Sequence, residues 1–215
     1  MQNLLHIDCS IRPTGSITRR LTALFAECWH TENPGGNHTY RDLGRSPIPH
    51  IDETSVMAAL LSPHDRTEAQ QQAWTCSEPL IAELRAADTV VIGVPMYNYA
   101  IPSTLKAWLD RVTIAEHMVD DSRTEPGTLE GKHVTVVTAR GGAYGPGTPR
   151  AEYDFQEPYL RAALGQIGLA THLHFVHAEM TLAHSVPHLS EFSNIADTSR
   201  RAAEDLVRTL ATARS

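Results

Sequence analysis

Apolar residues recur along this chain in two rhythms, and the rhythms divide it into elements. The run "NLLHI", Asn3 to Ile7, is short, apolar and bounded by polar turn formers, which predicts a strand. The stretch after it, "ITRRLTALFAECWH", repeats Ile17, Leu21, Leu24, Phe25 and Cys28 at helical spacing. A second strand is predicted over His38 to Leu43, ended by Pro47 and Pro49. Helical periodicity returns from Asp52 to Leu61 and, after a break at Ser62-Pro63, from about Arg66 to Ala86. "DTVVIGVPM", Asp88 to Met96, and "KHVTVVTA", Lys132 to Ala139, are nearly continuous apolar runs, the mark of strands covered on both faces. "ATHLHFVHAE", Ala170 to Glu179, alternates more openly, as an outer strand does. Helices fit Ser103 to Val112, Tyr153 to Gly168 and Ser190 to Ala213. Five strands alternating with helices predict one three-layer α/β domain over residues 1–215, because right-handed crossovers lay helices on both sheet faces.

Composition narrows the classes of function. With 41% hydrophobic residues among 215, the chain can build a continuous core. A formal charge of -7 and the lack of a basic stripe speak against nucleic acid as a partner. No apolar run reaches the roughly 20 residues that cross a bilayer, so no membrane association is expected. Met1 to Ser10 has no basic start, and His6 and Asp8 interrupt its apolar run, so a cytoplasmic protein is expected. Cys9, Cys28 and Cys76 are odd in number and lack C-x-x-C spacing, which predicts neither a disulfide framework nor a zinc knuckle. His172 and His174 share a strand face, but zinc needs three or four converging ligands, so no metal site is expected.

In an open parallel sheet, ligands bind beyond the carboxyl ends of the strands. Three loops begin there. The first, "DCSIRPTGSITRRL", offers the hydroxyls of Ser10, Thr14, Ser16 and Thr18, and the amides of Gly15 to Thr18 at a helix start. Unpaired N–H groups and the positive end of the helix dipole suit a phosphate, and Arg12 or Arg19 is placed to add charge. An ordinary Ser/Thr helix cap uses the same residues. The G-x-G-x-x-G and G-x-x-x-x-G-K-[ST] spacings are absent, and a tyrosine-phosphatase loop would need arginine where Gly15 stands, so Cys9 reads as a small residue at a strand end. In the second loop, Pro95 to Tyr99 is suited to lay backbone N–H groups along the edge of a flat heteroaromatic ring, before a helix expected to be capped by Ser103. That helix turns Leu105, Trp108 and Leu109 inward, and Asp110-Arg111 reads as a structural pair or helix end. The third loop, "TARGGAYGPG", combines Arg140 with Gly141 and Gly142, whose missing Cβ atoms permit close backbone approach.

Together the blocks Ser10…Ser16-Ile17-Thr18-Arg19, Pro95 to Arg111 and Ala139 to Gly142 resemble the FMN-dependent NADH-azoreductases of the flavodoxin-like superfamily. The resemblance implies a five-stranded parallel sheet in the order 2-1-3-4-5 and a homodimer with one FMN per subunit near the interface. It implies two-electron transfer from NADH or NADPH through the flavin to a quinone, azo or related conjugated acceptor, with no catalytic acid or base required of the protein. Ser10, Ser16, Ile17 and Thr18 would hold the phosphate; Pro95, Met96, Tyr97, Asn98 and Tyr99, with Arg140, Gly141 and Gly142, would hold the isoalloxazine. The chain departs from the family at Ala139, where serine is usual, at "HMVDD", which puts Met118 and Asp120 where aromatic residues are usual, and at Gln166. Met118, Asp120, Tyr144 and Gln166 are therefore expected around a rebuilt acceptor pocket, Tyr144 touching the flavin or closing the loop. Two other readings stay open: an isomerase or cyclase on the same fold, and a flavin-binding protein without catalysis.

Overall fold

The computed structural model describes residues 1–114 and 129–213; Met118 and Asp120 lie outside them. Five parallel strands, β1 (Asn3–Asp8), β2 (Asn37–Asp42), β3 (Thr89–Pro95), β4 (His133–Ala139) and β5 (His172–Ala178), form one sheet in the order β2-β1-β3-β4-β5. β3 is buried at every position, as its continuous apolar run predicts, and β5 takes the edge its open alternation predicts. The register sets Asp8 beside Gly93, and Pro95, Ala139 and Ala178 side by side, so the loops after β1, β3, β4 and β5 leave one rim of the sheet.

Alternation along the strands sends side chains to two cores. Leu4, Val91, Val137 and Val176 meet α1 (Ile17–Glu32) and α7 (Ser193–Thr212) on one face. Leu5, Ile7, Ile92, Val94 and Val136 meet α4 (Glu78–Ala86), α5 (Ser103–Val112) and α6 (Glu157–Gln166) on the other. α2 (Glu53–Leu60) is closed by a capping box in which Asp52 and Ser55 each accept the other's backbone N–H at 2.8 Å.

Several predicted boundaries move. The helix expected over Arg66 to Ala86 divides into α3 (Glu68–Trp74) and α4, with a turn at Thr75 to Ser77. Pro79, in the first turn of α4, has no N–H to continue a helical ladder back to Thr75, which favours a restart there. α6 begins at Glu157 rather than Tyr153, after a 3-10 turn at Ala151–Tyr153, and α7 begins at Ser193 after another at Pro187–Phe192. Ser103 is the first residue of α5 and not its cap; the Pro102 carbonyl accepts the N–H groups of Leu105 and Lys106 instead. Asp110 and Arg111 do not pair with each other. Asp110 takes Lys106, while Arg111 turns inward to the carbonyls of Pro49 (2.7 Å) and His50 (3.1 Å) and to Ser77 Oγ (3.2 Å).

Candidate cofactor-binding cleft

A cleft of about 230 Å³ opens where the strands end, lined by all three predicted loops and by no carboxylate among the described residues. On the first loop, Gly15 sits at φ +68°, a conformation glycine adopts without strain, and this turns the chain into α1. Ser16 caps α1 by accepting the Arg19 N–H at 3.4 Å, and its Oγ lies 3.2 Å from Thr18 Oγ1. The first-turn amides at Ile17 and Thr18 have no intrahelical acceptor. Ser10 is buried behind them with its Oγ accepting the Arg12 N–H at 3.3 Å. Arg12 is exposed, reaches over Gly15 and lines the cleft. Arg19 is committed elsewhere: it donates to both oxygens of Asp42 (2.7 and 2.6 Å) and to the Ser10 carbonyl (2.6 Å), and the bond to Asp42 raises its pKa further. Cys9 is fully buried, and burial together with the neighbouring Asp8 pushes its thiol well above the usual range, which removes it as a nucleophile.

The second loop is a tight turn. Tyr97 and Ala100 exchange backbone hydrogen bonds at 2.9 and 3.1 Å, and the two residues between them, Asn98 and Tyr99, have φ of 49° and 69°. Two consecutive left-handed residues match the type I′ turn, usually made by Asn-Gly, so placing tyrosine second stores strain. The amide of Met96 is spent on Ala139 and that of Tyr97 on Ala100; the N–H groups of Asn98 and Tyr99 at the tip donate to no backbone acceptor among the described residues, and of this loop Pro95, Met96 and Tyr97 line the cleft. The Tyr97 hydroxyl accepts the Ile11 N–H at 3.2 Å and ties this loop to the first.

On the third loop, Gly141 lines the cleft, whereas the Arg140 side chain turns inward and is 1% exposed. Its guanidinium meets Asp154 at 3.0 Å, Gln156 Oε1 at 3.1 Å and Glu179 at 3.5 Å, and its backbone groups bond Ala178 and Thr181. The side chain therefore points away from the cleft, with Nη2 buried and without a hydrogen-bond partner among the described residues. Tyr144 is buried, receives Tyr99 edge-on at 6.3 Å and gives its N–H to Glu179 at 2.8 Å. Alongside, His177 bridges Glu157 and Thr138 at 2.7 Å each. Burial, then the positive charge of Arg140, lowers the His177 pKa below its ordinary 6.5, against the pull of Glu157. The unfolded chain takes up this proton first, so the neutral ring's contribution to stability is complete above pH 6.5 and is lost as pH falls below it. In urea unfolding at pH 7.5 and 5.5, His177→Gln is expected to lose less stability on acidification than the parent; an unchanged loss would refute this coupling. His38 and His133 are also lowered, so part of the acid sensitivity stays.

The loop after β5, which the sequence reading passed over, supplies a fourth wall through Thr181, Leu182 and Ser185. Its backbone is zipped to the third loop by Thr181 N–H to the Arg140 carbonyl (3.0 Å) and Met180 N–H to the Gly142 carbonyl (3.1 Å). A visible signal existed, since β5 also ends at this rim and is followed by Thr181 and Ser185. Gln166, at the far end of α6, lines a different cleft of about 560 Å³ among α2, α5 and α6, so the structure does not bring it to the loops within one subunit. Met118 and Asp120 fall outside the described residues.

A parallel sheet in this order, with a hydroxyl-rich cleft at its carboxyl rim, defines the flavodoxin-like class, and a family model described as flavodoxin-like fold matches residues 2–205. The protein named FMN-dependent NADH:quinone oxidoreductase in Frankia casuarinae is 43% identical over 208 residues, 97% of this chain and 98% of the relative. One of the same name in a Nostoc species is 48% identical over 181 residues, 83% of this chain and 87% of the relative. The chain belongs to this family of flavodoxin-like FMN-dependent NADH:quinone oxidoreductases. Among solved structures, an azoreductase from Bacillus anthracis superposes with a TM-score of 0.84 at 22% identity over 99% of each chain. A B. anthracis FMN-dependent NADH-azoreductase in complex with FMN gives 0.79 at 23% over 98% of this chain and 100% of that one. At those identities the likeness is one of fold.

Proposed function

We propose that the chain is an FMN-dependent oxidoreductase that takes two electrons from NADH or NADPH and delivers them to a quinone, azo or related conjugated acceptor. The observation that carries this is the cleft itself, whose donor set of hydroxyls and first-turn amides, with no lining carboxylate among the described residues, fits a phosphate at one end and a flat ring at the other. Ser10, Ser16, Ile17 and Thr18 hold the phosphate, with the α1 dipole behind them and Arg12 in reach. The Pro95 to Tyr99 turn borders the ring plane, Asn98 and Tyr99 presenting N–H groups to its edge. Gly141 borders the ring, where a Cβ would strike Leu182 at 2.7 Å, with Gly142 beside it; Arg140 supports the loop from within, and Leu182, 46% exposed, shields the cleft from water. Bound there, FMN supplies the hydride chemistry. Tyr144 borders the acceptor.

The same reading makes the chain one FMN-binding domain and a homodimer. Beside Tyr99, an apolar surface runs across Ile101, Phe155 (57% exposed) and Tyr159 to Ile51, Val56 and Leu60, along two adjoining clefts. A patch of this kind next to a cofactor cleft suits a two-fold partner. Light scattering is expected to give the dimer mass at micromolar concentration, and an FMN-loaded monomer would count against it. Among the described residues no helix is long and apolar enough to cross a membrane, and all three cysteines are free.

The protein is expected to purify with an oxidised-flavin spectrum and to oxidise NADH when given a small neutral quinone. The double variant Ser16→Ala, Thr18→Ala should weaken FMN binding by about 1–3 kcal/mol, through hydrogen bonds lost to a charged group. If saturating FMN gives the parent protein neither fluorescence quenching nor a thermal shift, the flavin assignment fails.

A further inference from the structure

Gln156 stands immediately before α6, at the far end of the connection that the third loop begins, and is 0% exposed without lining the cleft. Its Oε1 accepts Arg140 Nε at 3.1 Å, and its Nε2 donates to the Val94 carbonyl at 3.0 Å. Arg140 can only donate and a carbonyl can only accept, so the orientation of this amide follows from its partners. Val94 directly precedes the second cofactor loop, and Arg140 opens the third. One side chain therefore bridges the two loops at a fixed spacing.

Its neighbours act on the same pair. The Phe155 N–H donates to the Tyr99 carbonyl at 3.2 Å, at the strained tip of the second loop. Asp154 meets Arg140 at 3.0 Å, while its Oδ1 accepts the N–H groups of Gln156 and Glu157 at 3.0 Å each, which fixes the segment against α6. We propose that residues 154–157 form a clasp, with Gln156 its central positioning residue, that sets the separation of the second and third loops and hence the width of the cofactor cleft. The chemistry requires an amide. A carboxylate at 156 would face the Val94 carbonyl with no donor, and an aliphatic side chain would remove both bonds and leave Arg140 Nε without a partner inside the protein. Because the strained Asn98-Tyr99 turn holds only while its surroundings over-determine it, loosening the clasp releases the turn first.

The proposal rests on reading the cleft as the FMN site, but its first readout needs no FMN. Amide hydrogen exchange at Tyr97, Ala100, Met180 and Thr181, whose N–H groups close the second loop and hold the third, is measured on the FMN-free protein for the parent, Gln156→Leu, Gln156→Glu and the control Val207→Ala. Val207 is buried in the opposite core, so the control loses stability without touching the clasp. Both Gln156 variants are expected to exchange about tenfold or more faster at these four amides, the effect of one or two lost buried hydrogen bonds, while the control keeps parent rates there. FMN titration should then show affinity about tenfold weaker and an altered visible circular dichroism in the Gln156 variants alone. If Gln156→Leu does not fold, Gln156→Glu, which retains the acceptor for Arg140, decides. Parent exchange rates in the folded Gln156 variants, with only the melting temperature lowered, would reduce Gln156 to a structural residue and overturn the clasp. Faster exchange with unchanged FMN affinity and spectrum would overturn its bearing on the cofactor. A parent protein that binds no FMN would defeat the flavin reading while the exchange result still judges the clasp.

Discussion

Arg140→Met is expected to lower the free energy of unfolding by about 3–5 kcal/mol, the usual cost of removing one partner from a buried ionic cluster. The guanidinium is the shared cation of Asp154, Glu179 and, at 3.8 Å, Glu157. Methionine fills comparable volume but leaves these carboxylates facing one another around an apolar stem, and it strips Gln156 Oε1 of its donor. Arg140→Lys should recover part of the loss, since it restores the charge but not the fork that reaches Gln156 and Asp154 together. Guanidinium chloride unfolding of the FMN-free proteins measures this directly, provided the slope with denaturant stays constant. A methionine variant within about 1 kcal/mol of the parent would show that desolvation already cancels the cluster's attraction.

Arg140 also marks where the sequence stopped being readable. Its position after a buried strand and before two glycines was plain, and so was the place of that loop at the rim of the sheet. The direction of its side chain was not, because it depends on Asp154, Gln156 and Glu179, which reach it from other elements and carry no local pattern. β3 and β4 were legible because each is covered on both faces and so reads as a nearly continuous apolar run. The order of the strands entered through family resemblance, and the register then placed the loops together. Gln166 was the opposite case: its neighbourhood on α6 was right, but helical periodicity does not tell which cleft the far end of a helix borders. The split between α3 and α4 was signalled by Pro79, yet apolar periodicity on both sides masked it. The wall formed by Thr181, Leu182 and Ser185 was missed because the apolar run of β5 is less regular, and its loop has neither the glycines nor the aromatic residues of the other three.

Gly44→Val is expected to cost about 3 kcal/mol of stability, the upper end for forced overpacking, and to weaken FMN binding about a hundredfold. Gly44 lies just past β2, where a Cβ would stand 2.1 Å from the Ser10 carbonyl oxygen, 2.7 Å from its carbon and 3.0 Å from Arg19 Nη2. All three are held. The Ser10 oxygen is fastened to Arg19, Arg19 is fastened to Asp42, and the Cys9 amide before them is fixed to the Gly93 carbonyl at 3.0 Å. The first two of these atoms are backbone and cannot rotate away as a flexible side-chain end does, so the strain passes along the chain from Ser10 into the Gly15 to Thr18 turn. The donors proposed for the phosphate then lose their common centre, although none of them has been changed. Isothermal titration with FMN, next to a urea midpoint, tests both halves. A variant that keeps the parent's FMN affinity while losing stability would show that the first loop absorbs the displacement before Ser16, and one that keeps both would show that the turn after β2 yields instead of Ser10.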